Sequence, residues 1–250
     1  MRYSELLEGK PEYKDFLTSC DHARSVSLLG AVDGLLQWDE QTMLPSAAGD
    51  FRAEQVAALA AITHAQRTEK EQGERLQNLR DSPLEKEWPQ VVQATIRLLY
   101  SDFQKQSRIP GKLVQELART SIEAQQAWVR AVKASEWKPM VTHLEKMFSL
   151  KRELAACQNP DLDPYDALLD DYEPGARWES VHATFSRLRK ALAPLVRGCM
   201  ESSEGPRETV LRGSFPLQSQ QAFVRHVIEE IGFSFDRGRL DTTAHPFCST

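Results

Sequence analysis

The six histidines are the residues of this 250-residue chain whose type best suits a catalytic metal, and their spacing excludes the simplest such site. They are His22, His64, His143, His182, His226 and His245. No two are four residues apart and no H-E-x-x-H pair occurs, so no helix face presents two imidazoles to a zinc ion. We interpret the first five as surface or helix-capping residues. His245 precedes Pro246 and Phe247 in strand-like sequence, where it either lines a site or satisfies backbone groups beside the rigid X-Pro bond.

An acidic run in the second half of the chain has the composition of a calcium loop but not its spacing. Its members are Asp161, Asp163, Asp166, Asp170, Asp171 and Glu173. Counted from Asp161, the EF-hand glycine position holds Asp166 and the bidentate glutamate position holds Tyr172. We therefore interpret the run as a solvated acidic connector.

Other catalytic motifs are absent from the sequence. It contains no motif for a serine nucleophile and no phosphate-binding loop. The four cysteines are scattered along the chain, and we interpret them as reduced thiols.

One further polar group accompanies an apolar helical stripe near the N-terminus. Asp33, Trp38 and Asp39 bring two carboxylates and an indole close together. We predict that Trp38 belongs to the core and that Asp39 forms an ion pair with Arg52 across the turn at Pro45.

Composition excludes two classes of partner. The net charge of −5 comes from 31 basic and 36 acidic residues spread along the chain, so no basic patch indicates binding to nucleic acid. The longest uncharged apolar stretch, residues 55–66, is far shorter than the roughly 18–20 residues that span a membrane. The first residues have no apolar segment typical of a secretory signal, which predicts a cytoplasmic protein.

Apolar residues recur at helical spacing through most of the chain, which predicts an all-α fold of long helices. The predicted helices are 11–43, 47–80, 84–107, 111–136, 139–158, 177–200 and 217–231. Residues 158–175 are predicted to form a connector with one short helical turn at 165–170. Gly232 has the position of a left-handed helix end. After it, Phe233 and Phe235 alternate with polar residues, which predicts a short β segment at the C-terminal end.

Three ordered segments together resemble one enzyme family. The first is AVDGLLQWDEQTMLP at 31–45 with Arg52 and His64; the second is YDALLDDYEPG at 165–175; the third is FDRGRLD at 235–241 before His245-Pro246-Phe247. The set is similar to the motifs of the carboxypeptidase Taq family of metallocarboxypeptidases.

The resemblance implies helices that form the walls of a deep substrate groove, usually in a homodimer. It also implies removal of single residues from peptide C-termini with one divalent metal, typically zinc, which activates water while a glutamate takes its proton. Only His245, Pro246 and Phe247 match an active-site motif in this sequence, and they are expected to line the substrate pocket. No catalytic residue and no metal ligand of the family is matched in this chain.

The favoured interpretation is that residues 1–250 form the N-terminal helical part of a single catalytic domain that continues to a metal-binding half. The chain alone is then expected to be inactive. Two alternatives remain open: a stand-alone helical module that binds peptides or regulates a partner, and an unrelated helical binding protein.

Overall fold

A computed structural model describes residues 13–82, 86, 88–202, 205, 209 and 212–248. Within these residues the chain forms nine α-helices and a short 3-10 turn at Ser46–Ala48. The helices are α1 (Tyr13–Thr42), α2 (Gly49–Arg67), α3 (Lys70–Asp81), α4 (Gln90–Ser107), α5 (Gly111–Ala134), α6 (Lys138–Gln158), α7 (Pro164–Leu169), α8 (Trp178–Glu201) and α9 (Leu217–Glu230). The prediction of an all-α fold is thus confirmed. No helix among these residues is both long and apolar enough to cross a bilayer.

The predicted β segment is wrong, because no strand occurs in the described part of the chain. Gly232 ends α9 with a φ of 96°, as predicted, and the Phe233 N–H donates to the Ile228 carbonyl at 2.9 Å. The rings of Phe233 and Phe235 then pack edge to face with their centroids 5.1 Å apart. The Arg237 N–H closes a turn by donating to the Ser234 carbonyl. The two aromatic side chains therefore contact each other and do not face a sheet, which is why their spacing was misleading.

The predicted helix 47–80 is divided in two at Thr68 and Glu69. Glu69 has an extended backbone, with φ −60° and ψ 125°. His22 of α1 lies at this break, with its Nε2 2.9 Å from the Gln66 carbonyl and its Nδ1 3.3 Å from the Glu69 carboxylate. The interpretation of His22 as a capping residue is confirmed. No glycine or proline marks the break, so its position depends on a side chain from another helix.

The helix predicted over 84–107 is observed as α4 from Gln90, directly after Pro89, and the predicted start at residue 84 lies outside the described residues. The short helix predicted within the acidic connector is confirmed as α7. Its first turn is capped by Asp163, whose side chain accepts from the Tyr165 N–H at 2.8 Å.

The chain divides into two compact units. The first unit comprises residues 1–171 and 244–250, and the second comprises residues 172–243. Every described residue that is fully buried lies in the first unit. One of its apolar clusters joins α1, α3 and α4 and consists of Phe16, Leu79, Trp88, Val92 and Ile96. A second cluster joins α2 to α5 through Ala53, Val56 and Ile122.

Candidate functional site

Helices α1, α2 and α5 of the first unit, with Gln106 of α4, line a partly open cavity of about 450 Å³, which we call the inner cavity. Its volume lies within the range of small-ligand and peptide sites. Its polar lining side chains are Asp33, Gln37, Glu40, Gln41, Thr63, His64, Arg67, Gln106, Ser121 and Gln125. Its apolar lining includes Val56, Leu59 and Ile122. The cavity therefore combines an apolar wall with many hydrogen-bonding groups.

The α1 wall of the inner cavity carries two carboxyl groups that are partly removed from water. Asp33, Gln37 and Glu40 follow one another at helical spacing and so lie on the same face of α1. Burial raises the pKa of Asp33, although a hydrogen bond from Gln37 Nε2 at 2.6 Å acts in the opposite direction. Burial likewise raises the pKa of Glu40, opposed by the charge of Arg52. Because desolvation disfavours the charged form, both carboxylates would gain from a cationic neighbour.

Arg52 links α1 to α2 beside this cavity, as predicted. Its guanidinium donates to the Asp39 carboxylate and to the Leu36 carbonyl, each at 2.5 Å, and its Nε donates to Gln55 at 3.0 Å. Arg52 is only 7% exposed, so these bonds satisfy a buried charge. Trp38 is half-buried, and its predicted place in the core is therefore wrong.

His64 is a cavity residue that the sequence interpretation missed. The expectation of a surface or capping residue is wrong, because His64 is only 9% exposed and lines the inner cavity. Its ring makes no hydrogen bond or ion pair with the described residues. A signal was available: Ala53, Ala57 and Ala60 precede it at helical spacing along the inward face of α2.

A second cavity of about 460 Å³ adjoins the inner cavity and contains His245; we call it the outer cavity. Its other lining residues are Gln41, Ser121, Ala124, Gln125, Trp128, Met140 and Met147. Three of these, Gln41, Ser121 and Gln125, also line the inner cavity. The two cavities therefore share three lining residues, from α1 and α5, and lie next to each other.

Of the three residues predicted to line the substrate pocket, the structure places only His245 in a cavity. The His245 ring meets Trp128 edge to face, with the ring centroids 5.6 Å apart, and its Nδ1 lies 3.1 Å from the Pro246 carbonyl. Pro246 and Phe247 are exposed and do not line the outer cavity. His245 thus has both properties considered for it, a cavity position and a backbone contact.

The acidic connector is anchored by a lysine that the sequence interpretation did not single out. Lys105 Nζ lies 2.9 Å from the Asp170 carboxylate and 2.7 Å from the Asp171 carboxylate. Burial lowers the pKa of Lys105, but hydrogen bonds to Asp171 and Asp170 act together against it and leave the pKa raised. The interpretation as a solvated connector is therefore wrong for these two aspartates, which attach the segment to α4. The pairing could not be predicted because 65 residues separate Lys105 from Asp170.

The described residues do not supply a set of ligands for the metal that the family resemblance implies. Among them, no group of three His, Cys, Asp or Glu side chains is placed to hold a metal ion. His64 and His245 line different cavities and are not brought together.

Similar proteins cover nearly the whole of this chain. Thermostable carboxypeptidase 1 of Thermus thermophilus is 31% identical over 233 residues, which make up 90% of this chain and 46% of the relative. Carboxypeptidase 1 of Bacillus subtilis is 26% identical over 232 residues, or 92% of this chain and 46% of the relative. The chain spans about half the length of the curated relatives it matches.

Solved structures also match nearly all of this chain and about half of their own chains. The crystal structure of BsuCP has a TM-score of 0.86 at 25% identity, covering 95% of this chain and 47% of the other. The M32 carboxypeptidase from Deinococcus radiodurans has a TM-score of 0.71 at 31% identity, covering 94% and 46%. A sequence model described as "Carboxypeptidase Taq (M32) metallopeptidase" matches residues 18–250. With the helical groove and the ordered motifs, this match establishes that the chain belongs to the carboxypeptidase Taq (M32) metallopeptidase family.

Proposed function

We propose that residues 1–250 form the N-terminal helical part of a single metallocarboxypeptidase catalytic domain, which releases single residues from peptide C-termini. The family match over residues 18–250 carries this proposal. The match to about half of each relative supports the view that the domain needs further sequence.

In this proposal the chain contributes the substrate groove, and the metal ligands come from elsewhere in the domain. His245 lines the substrate pocket, supported by its position beside Trp128 in the outer cavity. Pro246 and Phe247, which are exposed in this structure, are proposed to join that pocket only in the complete domain. Zinc or another divalent ion acts in the complete domain. Because the described residues supply no ligand set, the 250-residue chain alone has negligible hydrolytic activity.

The same proposal includes a homodimer in the cytoplasm. Cys20, Cys157, Cys199 and Cys248 are free thiols, which is consistent with a reducing compartment. The dimer is supported only by the family resemblance, and sedimentation of the complete protein measures it directly.

A comparison of two polypeptides tests the proposal. One is the 250-residue chain, and the other extends along the coding sequence to the next in-frame stop. Each is incubated with an N-blocked peptide ending in Phe and with the corresponding C-terminal amide, with and without added zinc. We expect metal-dependent release of Phe from the free acid by the longer polypeptide alone, and an H-E-x-x-H motif in its added sequence. Metal-dependent turnover by the 250-residue chain, or equal cleavage of the amide, would contradict the proposal.

A peptide-binding module without catalysis is the second candidate. It is favoured by one observation: both cavities are built entirely from residues of the first unit. Under this alternative the coding sequence ends without a metal motif, and the 250-residue chain binds peptides without cleaving them.

A further inference from the structure

The inner cavity contains negative charge that the protein itself leaves without a full partner. Glu40 makes no hydrogen bond or close ion pair with the described residues, and Asp33 is held only by the neutral amide of Gln37. The cavity also contains Arg67, but the Asp102 carboxylate lies 2.6 Å from its guanidinium and neutralises it. The lining therefore has an excess of negative charge, in a place where burial already disfavours carboxylates.

The unpartnered ring of His64 is a second and independent observation at the same cavity. A buried imidazole normally has a hydrogen-bond partner, but the ring nitrogens of His64 have none among the described residues and are not among the fully buried unpaired atoms, so they are open to the cavity. His64 is more than nine-tenths buried, lines the inner cavity and has no partner among the described residues. A ligand donor in the cavity would satisfy it.

The arrangement favours an organic cation over a metal ion. A metal needs several ligand atoms about 2 Å from a single point, and the described residues contain no such group of three. Asp33 and Glu40 are seven residues apart on α1, which separates their backbones by roughly 10 Å along the helix axis. An alkylammonium has three N–H donors and can use acceptors that are spread along a groove.

We propose that the inner cavity is a subsite for an alkylammonium group of a bound peptide, with Glu40 as its charge partner and His64 as a hydrogen-bond acceptor. The inference rests on the proposed function, since the peptide reaches this subsite from the outer cavity. An extended peptide advances about 3.3 Å per residue, so three residues cover the length from Glu40 to Asp33. The ammonium is either the peptide N-terminus or a lysine side chain located upstream of the C-terminal residue.

Four peptides distinguish the two possible sources of the ammonium group. Their binding to the 250-residue chain is measured by calorimetric titration. They are Ala-Ala-Ala-Phe with a free N-terminus, its N-acetyl form, N-acetyl-Lys-Ala-Ala-Phe, and the same peptide with norleucine in place of lysine. We expect a peptide with an ammonium group to bind about five- to tenfold more tightly than its neutral counterpart, as is usual for a partly desolvated charge pair. A preference confined to the free N-terminus or to lysine identifies which ammonium occupies the subsite.

Two substitutions and a matched control locate the preference. Glu40→Gln and His64→Ala are expected to reduce the ratio of affinities toward one. Glu54→Gln removes the same charge from an exposed position on α2 outside the cavity and is expected to leave the ratio unchanged. Because the peptide comparison is made within each protein, a change in overall stability does not imitate the result.

The neutral peptides separate this inference from the proposed function. If neutral and ammonium-bearing peptides bind equally, the subsite proposal is overturned while peptide binding stands. If none of the four peptides binds, the subsite proposal is overturned, whereas the proposed function is decided separately by the hydrolysis comparison of the two polypeptides. An equal loss of preference in Glu54→Gln also contradicts the subsite, because it shows a general effect of surface charge.

Discussion

The two units of the chain contain amphipathic helices of equal length that are buried to very different extents. Helix α5 of the first unit and helix α8 of the second each have 24 residues. Five residues of α5 are buried, whereas α8 has none among the described residues. Four large apolar side chains on α8 follow helical spacing and are exposed: Phe185, Leu188, Leu192 and Leu195. An apolar stripe thus specifies which face of a helix can be buried, but burial itself needs a neighbouring element.

The difference also concerns polar groups. In the first unit, packing surrounds Arg52 and desolvates Asp33 and Glu40. In the second unit, the ion pair between Arg225 and Glu229 lies within one exposed helix. Substitutions of the same type should therefore have large effects in the first unit and small effects in the second.

The largest expected difference comes from removing a phenylalanine ring in each unit. Phe16 is 0% exposed and Phe185 is 61% exposed. Phe16→Ala should lower the free energy of unfolding by about 3–5 kcal/mol, because it leaves a cavity between α1, α3 and α4. Phe185→Ala should change it by less than about 0.5 kcal/mol. Urea denaturation followed by circular dichroism measures both, and equal losses would show that α8 is covered in solution.

A smaller difference is expected between two arginines. Arg52→Ala removes a buried cation and leaves Asp39 and the Leu36 carbonyl without their donor, at a cost of about 3 kcal/mol. Arg225→Ala removes an exposed ion pair and a contact 3.7 Å above the Phe235 ring, at a cost below about 1 kcal/mol. Urea denaturation again measures the free energy of unfolding. If Arg225→Ala lowers it as much as Arg52→Ala does, the two units do not differ in the burial of their charged groups.

Two helix ends with left-handed backbone conformation provide a third comparison, in which the two substitutions should change the stability in opposite directions. Ser135 ends α5 with a φ of 56°, and Gly232 ends α9 with a φ of 96°. A side chain in this conformation costs about 1 kcal/mol relative to glycine. Ser135→Gly should therefore stabilise the first unit, and Gly232→Ala should destabilise α9 by a similar amount. Thermal unfolding measures the first change, and amide hydrogen exchange of α9 measures the second. If Ser135→Gly destabilises the protein, the serine side chain has a role beyond the backbone conformation.

The smallest expected effect is a pH-dependent one at Glu40. A carboxyl whose folded-state pKa is raised contributes most to stability when neutral, below its unfolded pKa near 4.5. That contribution is lost as the pH rises through the folded value. Glu40→Gln stays neutral, so at about pH 7 it should be more stable than the parent chain by roughly a few tenths of a kcal/mol.

This gain should disappear at about pH 4, where Glu40 is itself protonated. Glu54→Gln, at an exposed position of α2, is the control and should show no such gain. A Glu40→Gln variant that is less stable at neutral pH would mean that the carboxylate is already paired.

Helix positions were largely predictable because their signals lie within single segments. The apolar period, the turn at Pro45 and the helix end at Gly232 placed most helix ends within a few residues of their observed positions. The break at Thr68 was missed because His22, from another helix, occupies it. The β segment was predicted wrongly because Phe233 and Phe235 pack on each other.

The candidate site was predictable only in part, for the same reason. The pairing of Asp39 with Arg52 spans one turn and could be predicted from charge and proximity. The burial of His64 depends on the approach of α5 to α2, and the contact of His245 with Trp128 joins segments more than 100 residues apart. The spacing of the alanines on α2 indicates that His64 lies on the inward face, but no local pattern indicates which remote segment covers either histidine.

The sequence by itself determined the helical class, most helix ends and the three ordered motifs of the family, because each depends on residues that are close along the chain. The tertiary structure decided which polar groups lose water and which apolar faces find a neighbour. Both depend on the distance between segments that are remote in sequence, and desolvation is a property of that packed environment. Glu40 and His64 therefore became candidates for a binding subsite only when the structure placed both of them in the lining of one cavity.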